Sequence, residues 1–305
     1  MQIPEEIVKV TIQLIQKTYK VPDDLIAQVF VAEANRDSDF ISFLKEKEDY
    51  SEFQRVSAYR NLIKKVKRRL YYRLRRYDTL EAQNREGILN KLRLTIEEYG
   101  LWSPQSFELH REILKTHVST RERLEVASDL FHSIFRITGK PQKLLDISCG
   151  LNPLFVPWMQ IQECIYVCTE LHDNLCNFIN SYLKIVSPIL NIQAHVLKLD
   201  LLELFDSENK RIVFETNPLL ADCSGAFLFK VLRSMERRRK GIAKQILQWT
   251  PAEWIVVSEA TRSLVKREDI RRREKIWLKR LFTQLNYSVK EFLDYPDEII
   301  FIIEK

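Results

Sequence analysis

The chain has 305 residues, room for two domains, with 45% hydrophobic content suited to a core of ordinary size and a formal net charge of +6. No run of 18 apolar residues occurs, which excludes a membrane-spanning helix, and Met1-Gln-Ile-Pro-Glu-Glu6 lacks the charged-then-apolar order of a secretory leader. The cysteines (Cys149, Cys164, Cys168, Cys176, Cys223) are odd in number without a C-x-x-C pair, which argues against a disulfide framework and a zinc site and fits a reducing cytoplasm.

Residues 4–20 read as an amphipathic helix, with Ile7, Val8, Val10, Ile12, Leu14 and Ile15 recurring at three- and four-residue steps. Pro22-Asp23-Asp24 starts a second helix that runs to Ala34, and residues 37–53 hold a third. Charge is segregated here. Residues 1–54 carry eleven acidic and six basic residues, whereas residues 55–76 carry ten Lys or Arg and no acid. Such a run repels itself unless an anionic partner faces it. Residues 55–77 form one long helix whose apolar stripe is Tyr59, Leu62, Ile63, Val66, Leu70 and Leu74. Lys64, Lys65, Lys67, Arg68, Arg69, Arg73 and Arg76 are left to face water or phosphate. Helices at 80–98 and 104–115 follow, broken by Tyr99-Gly100 and Ser103-Pro104. The domain boundary falls within 100–116, dividing a helical, basic domain of residues 1–110 from residues 111–305.

Ser119-Thr-Arg-Glu122 has capping-box spacing before the apolar run of Leu124, Val126, Leu130, Phe131, Ile134 and Phe135. A cap does not require Arg121 or Arg123. From residue 140 strand and helix alternate, the mark of a parallel sheet. The strands expected are 143–148, 164–169, 194–199, 225–231 and 253–258, closed by 288–293 and 298–303 about the turn Asp294-Tyr-Pro-Asp-Glu298. The fold class is α/β.

Leu144-Leu-Asp-Ile-Ser-Cys-Gly-Leu-Asn-Pro153 carries the most information. A strand runs into a small-residue turn, and Asn152-Pro153 opens a helix, where the missing proline N–H costs nothing. Such a unit aims backbone N–H groups at a nucleotide or a carboxylate. Glu170, ending a strand about 20 residues later, suits ribose hydroxyls. There is no G-x-G-x-x-G, so the same residues also describe an ordinary strand–turn–helix.

His117-Val-Ser-Thr-Arg-Glu-Arg-Leu124, the Asp146–Pro153 segment, Phe229-Lys230 with Leu232, Val257-Ser258 and Thr261-Arg262-Ser263-Leu264 occur in one order at sensible spacing. Together they resemble the aminoglycoside-resistance 16S rRNA (guanine-N7) methyltransferases over roughly residues 110–305. The resemblance implies a Rossmann-like, S-adenosylmethionine-dependent methyltransferase domain behind an N-terminal α-helical domain. It implies a cofactor site of His117, Arg121, Arg123, Asp146, Gly150, Glu170, Asp200 and Leu201. In it Arg123, or else Arg121, meets the methionine carboxylate, and Asp200 bonds the adenine amino group while Leu201 packs on the ring. Asp146 also fits a loop cap, and Asp200 an N-cap for the turn after it. The family usually has Asp where this chain has Glu170, so His172 or Asp173 are alternatives there.

The target implied is a guanine N7 of the small ribosomal subunit's 16S rRNA. That nitrogen carries an accessible lone pair, so transfer needs alignment rather than a general base, which agrees with the lack of a catalytic Cys, His or paired-carboxylate constellation. The cysteines read as small apolar residues, and neither a metal nor a membrane is expected. Lys230 and Arg262 are positioning candidates at the acceptor pocket, although a lysine ending an apolar strand also snorkels or pairs. Basic clusters containing Arg237, Arg238, Arg271 and Arg272 add to the RNA-facing set. The charged run at 266–280 departs from the family, which is glycine-rich there. An rRNA or tRNA methyltransferase with another target nucleotide, and a non-catalytic RNA-binding or assembly protein, are the rival readings.

Overall fold

The computed structural model describes residues 3–16, 23–46, 53–74, 80–206, 217–262 and 268–305, with no side-chain detail for 46, 71–74, 80, 81, 205 and 206. The chain divides into two compact units, Met1–Arg76 and Tyr77–Lys305. This division lies well before residue 110, because the helices on either side of residue 100 put Ile88, Leu89, Leu92, Ile96, Ile113 and Leu114 into the core of the second unit.

The first unit holds helices α1 (Glu5–Gln16), α2 (Asp23–Ala34), α3 (Ser38–Glu46) and α4 (Ser57–Leu74). The stripe of α4 (Tyr59, Leu62, Ile63, Val66, Leu70) meets Ile7, Ile15, Ile26, Val29, Phe30 and Phe40 in one core. Buried Thr11 and Tyr59 share a hydroxyl hydrogen bond of 2.8 Å, which satisfies both polar tips.

The second unit begins with α5 (Arg85–Tyr99), α6 (Pro104–Lys115), α7 (Val118–Arg123) and α8 (Ala127–Thr138). Ser103 caps α6 by accepting the Ser106 N–H at 3.2 Å, with Pro104 in the first turn. The expected capping box at Ser119 is not formed. Helix α7 starts earlier, on His117, so Ser119 lies inside it rather than at its cap.

Among the described residues seven strands follow: β1 (Lys143–Asp146), β2 (Ile165–Glu170), β3 (Gln193–Lys198), β4 (Cys223–Phe229), β5 (Ala252–Ala260), β6 (Ser288–Asp294) and β7 (Glu298–Glu304). They form one sheet in the order β3-β2-β1-β4-β5-β7-β6, in which β7 is antiparallel to both neighbours. Between them lie α9 (Val156–Met159), α10 (Asp173–Leu190), α11 (Leu201–Asp206), α12 (Leu232–Arg238), α13 (Ile242–Trp249) and α14 (Arg271–Gln284). Strand alternation sorts the two faces. Leu144, Tyr166, Phe227, Val256 and Ile300 pack with α5, α6, α8 and α10. Leu145, Val167, Ala226, Leu228, Val257 and Phe301 pack with residues of α11 to α14.

Strand β1 has β2 on one side and β4 on the other, with Asp146 level with Cys168 and Phe227. The direction of winding reverses there, so a crevice opens at the carboxyl ends of β1 and β4, the place where open α/β sheets take ligands. The antiparallel run of β7 sets its first residue, Glu298, opposite Ala260 at the same edge.

Candidate cofactor site at the end of the first strand

The loop after β1 is fastened to the end of β2. Ser148 N–H donates to Thr169 Oγ1 (3.1 Å), Cys149 N–H to the Thr169 carbonyl (2.9 Å) and Gly150 N–H to Glu170 Oε2 (3.1 Å). The loop amides therefore turn inward, contrary to the expectation that they aim at a ligand. A pyrophosphate would need them outward. Inward amides beside buried Asp146 and Glu170 suit a ligand that brings hydroxyl donors or positive charge.

Glu170 also accepts the Leu171 N–H through Oε1 at 2.8 Å, so its buried carboxylate holds the loop to the end of β2. Gly150 sits at φ +54°, and a Cβ there would lie 2.9 Å from Cε1 of His117. His117 is buried against this glycine. Burial, and then the charges of Arg85, Arg123 and Lys230, hold its pKa down at about 3, so the ring is neutral.

Asp146 is buried at the base of the site. Its Oδ2 accepts from Asn152 Nδ2 and from the Tyr166 hydroxyl, each at 2.6 Å, while Oδ1 has no hydrogen-bond partner in the protein. Burial raises its pKa to about 6 against the opposing pull of those two donors.

Arg123 is built into a buried network of the protein. Its side chain is 1% exposed, with Nε and Nη2 donating to Glu298 at 3.1 and 2.6 Å, Nη1 donating to Asn152 Oδ1 at 2.9 Å, and the guanidinium lying 4.0 Å from the Phe229 ring centroid. Three of its five N–H donors are thus held by protein acceptors within a buried network. Arg121 is exposed on α7. Lys230, left-handed at φ +60°, pairs with Glu122 at 2.6 Å and lies 3.8 Å from Glu298, so in this state it ties α7 to the end of β4.

Asp200 does cap α11: Oδ1 accepts the Leu202 N–H at 2.8 Å. Leu201 is 1% exposed within the core and presents no face to an adenine ring; Leu199 and Leu202 beside it are half-buried. His172 precedes α10, and Asp173 pairs with Lys198 at 2.7 Å. Arg262 is exposed and its backbone forms an isolated antiparallel β-bridge with Asp269, while Ser263 and Leu264 lie outside the described residues.

The basic residues divide as sharply. On α4, Lys65 pairs with Asp37 at 2.8 Å and Arg69 with Glu33 at 2.5 Å, while Lys64 and Arg68 are exposed and Lys67 is half-buried. Arg76, and the side chain of Arg73, lie outside the described residues. Arg237, Arg238 and Arg272 are exposed, whereas Arg271 is tied to Asp294 and to the Pro296 carbonyl.

Three residues that sequence reading passed over belong to this site: Tyr166, Arg85 and Glu298. Arg85 donates to Thr116 Oγ1 at 2.7 Å beside His117. Glu298 had a signal. A carboxylate heading the otherwise apolar run Ile-Ile-Phe-Ile-Ile has to be paired if that strand is central. Among the described residues no cluster of His, Cys, Asp and Glu could hold a metal ion, and no helix is long and apolar enough to cross a membrane.

The family model for ribosomal RNA methyltransferase (FmrO) matches residues 52–277. A 16S rRNA (guanine(1405)-N(7))-methyltransferase of Micromonospora echinospora is 28% identical over 206 residues, 64% of this chain and 65% of that protein. One from Micromonospora rosea is 30% identical over 158 residues, 52% of each chain. The matched segments thus span between half and two thirds of these relatives. Among solved structures, 16S rRNA methyltransferase RmtF in complex with S-adenosyl-L-homocysteine superposes with a TM-score of 0.66 at 19% identity, covering 100% of both chains. The 16S rRNA methylase RmtB gives 0.58 at 19%, covering 98% of each. Those two likenesses establish the Rossmann-like methyltransferase fold, and with the family match over residues 52–277 they lead to one conclusion: this chain belongs to the ribosomal RNA methyltransferase (FmrO) family.

Proposed function

We propose that the chain methylates N7 of a guanine at the decoding site of 16S rRNA, within the assembled small ribosomal subunit in the cytoplasm, and so confers aminoglycoside resistance. The observation that carries this reading is the β1–β4 crevice. Its loop amides are turned inward, and the buried Asp146 Oδ1 has no partner within the protein. S-Adenosylmethionine fits those features: it has no phosphate, it carries ribose hydroxyls and an ammonium as donors, and its sulfonium is a cation. Bound there, it supplies an already electrophilic methyl group.

Asp146, Gly150 and Glu170 would hold the cofactor, with Asp200 at the outer end keeping Oδ2 for the adenine amino group. The protein's part is then positional. Guanine N7 has its own lone pair, so no side chain has to remove a proton, and a neutral His117 with raised thiol pKa values at Cys149 and Cys176 accords with that. Lys64, Lys67, Arg68, Arg73, Arg76, Arg237, Arg238 and Arg272 would meet rRNA phosphates, with Arg262 beside the flipped base. The modified guanine gains positive charge and loses an acceptor, which disfavours a cationic drug. A second reading keeps the chemistry but changes the nucleotide, on the strength of the charged run at 266–280.

Incubation with methyl-labelled S-adenosylmethionine tests the target class. Label should enter 16S rRNA of small subunits and leave tRNA and large-subunit RNA unlabelled. Label confined to tRNA would replace the proposed substrate with that of the second reading.

A further inference from the structure

A single chain of hydrogen bonds joins β7 to the base of the candidate cofactor site. Ser258 Oγ on β5 donates to Glu298 Oε1. Glu298 receives Nε and Nη2 of Arg123 at 3.1 and 2.6 Å, and Arg123 passes Nη1 to Asn152 Oδ1 at 2.9 Å. Asn152 Nδ2 donates to Asp146 Oδ2 at 2.6 Å, and the Tyr166 hydroxyl donates to the same oxygen. The central pair is 1% and 2% exposed, and 175 residues separate its members in the sequence.

Each link leaves the next few choices. Glu298 fixes the plane of the Arg123 guanidinium by a two-point bond, and Phe229 closes one face of it at 4.0 Å. Because Nη1 is a donor, the Asn152 amide must present its oxygen to Arg123 and its NH2 to Asp146. Asn152 Nδ2 and the Tyr166 hydroxyl both meet Oδ2, and Oδ1 of Asp146 is the oxygen without a protein partner. The amide orientation is thus dictated from β7.

We infer that Glu298 is a positioning residue for cofactor binding: through Arg123 and Asn152 it aims Asp146 Oδ1 at the ligand. This rests on the cofactor reading given above. It also supplies a reason for a buried ion pair at this place, since such pairs add little net stability over well-packed apolar groups. Registry of a site is a better account.

The test uses the full-length chain and two variants, with S-adenosylhomocysteine affinity measured by calorimetry and methylation kinetics on small subunits. Glu298→Gln keeps the shape but weakens the grip on Arg123. Arg123→Met combined with Glu298→Leu removes both charges, so no unpaired ion is buried and the sheet can still fold. In both variants the cofactor dissociation constant and its KM should rise at least about tenfold, as expected when a ligating group is misaimed. The KM for small subunits should stay within about twofold, and the double variant should melt cooperatively. A purely structural pair would give a folded double variant with wild-type cofactor affinity, and that result overturns the inference. A direct bond from Arg123 to the ligand carboxylate would do so too, by leaving Glu298→Gln binding as tightly as wild type or tighter. Wild-type protein that binds S-adenosylhomocysteine but methylates no small subunit would fault the RNA target and leave this inference standing.

Discussion

Gly150→Val should abolish measurable cofactor binding while the sheet stays folded. Two costs combine. The backbone at φ +54° is left-handed, which costs a β-branched residue at least about 1–2 kcal/mol. The new Cβ would also stand 2.9 Å from the ring of His117, which is buried and cannot swing out of the way. Relief comes only by moving the loop, and that breaks the Gly150 N–H bond to Glu170 and displaces both buried carboxylates. A shift of about 1 Å is enough to cost about a hundredfold. Calorimetry with S-adenosylhomocysteine should show no heat for Gly150→Val, and Gly150→Ala should already be impaired, because it meets the same ring and the same φ. Wild-type affinity in the alanine variant would mean that the ligand does not use this loop.

The second large effect is expected on α4, where the structure separates two sets of cations that look alike in sequence. Replacing Lys64 and Lys67 with Glu should weaken small-subunit binding and leave the melting temperature and cofactor affinity near wild type. Replacing Lys65 and Arg69 with Glu should do the reverse in kind. It sets carboxylates against Asp37 and Glu33, so the first unit should melt at lower temperature. Asp37 makes that opposition worse. Burial raises its pKa, yet Lys65 and the Phe40 N–H outweigh burial and hold it below the usual range, so it is ionised at neutral pH and would face the new charge directly. Binding to RNA should weaken steeply with salt, each lost phosphate contact removing roughly 0.7–0.9 from the log–log slope. Equal loss of RNA binding in both sets, with no change in melting, would remove the distinction.

The seven strands among the described residues were legible in the sequence to within a few residues: β1, β2, β4, β5 and β7 are largely buried apolar runs, and the half-exposed β3 and β6 were marked by their place in the strand–helix alternation and by the Asp294–Glu298 turn. Helices α4 and α6 were equally legible from the stripe of α4 and the Ser103-Pro104 start of α6. What sequence could not show is pairing across long separations. The partner of Arg123 could not be read, since its contact with Glu298 depends on β7 running antiparallel next to β5. Lys65 and Lys64 are adjacent and chemically identical; only the position of Asp37 on the neighbouring turn tells them apart. The unit division at residue 76 was missed because α5 and α6 are amphipathic helices like those before them. Which core takes their apolar side is a tertiary fact. Leu201 failed for a related reason, since a leucine beside a candidate adenine site and a leucine of the sheet's core have one sequence signature.

The central claim is the atom that receives the methyl group, and one measurement addresses it directly. Small subunits methylated by this protein are extracted, their 16S rRNA is reduced with borohydride and treated with aniline, and the cleavage position is mapped by primer extension. An N7-methylguanine carries a fixed positive charge on its imidazole ring, which makes the reduced nucleotide depurinate and the strand break there. The account predicts a single new break at one decoding-site guanine, dependent on S-adenosylmethionine and absent with Gly150→Val. Incorporated methyl label in RNA that resists aniline cleavage would contradict it.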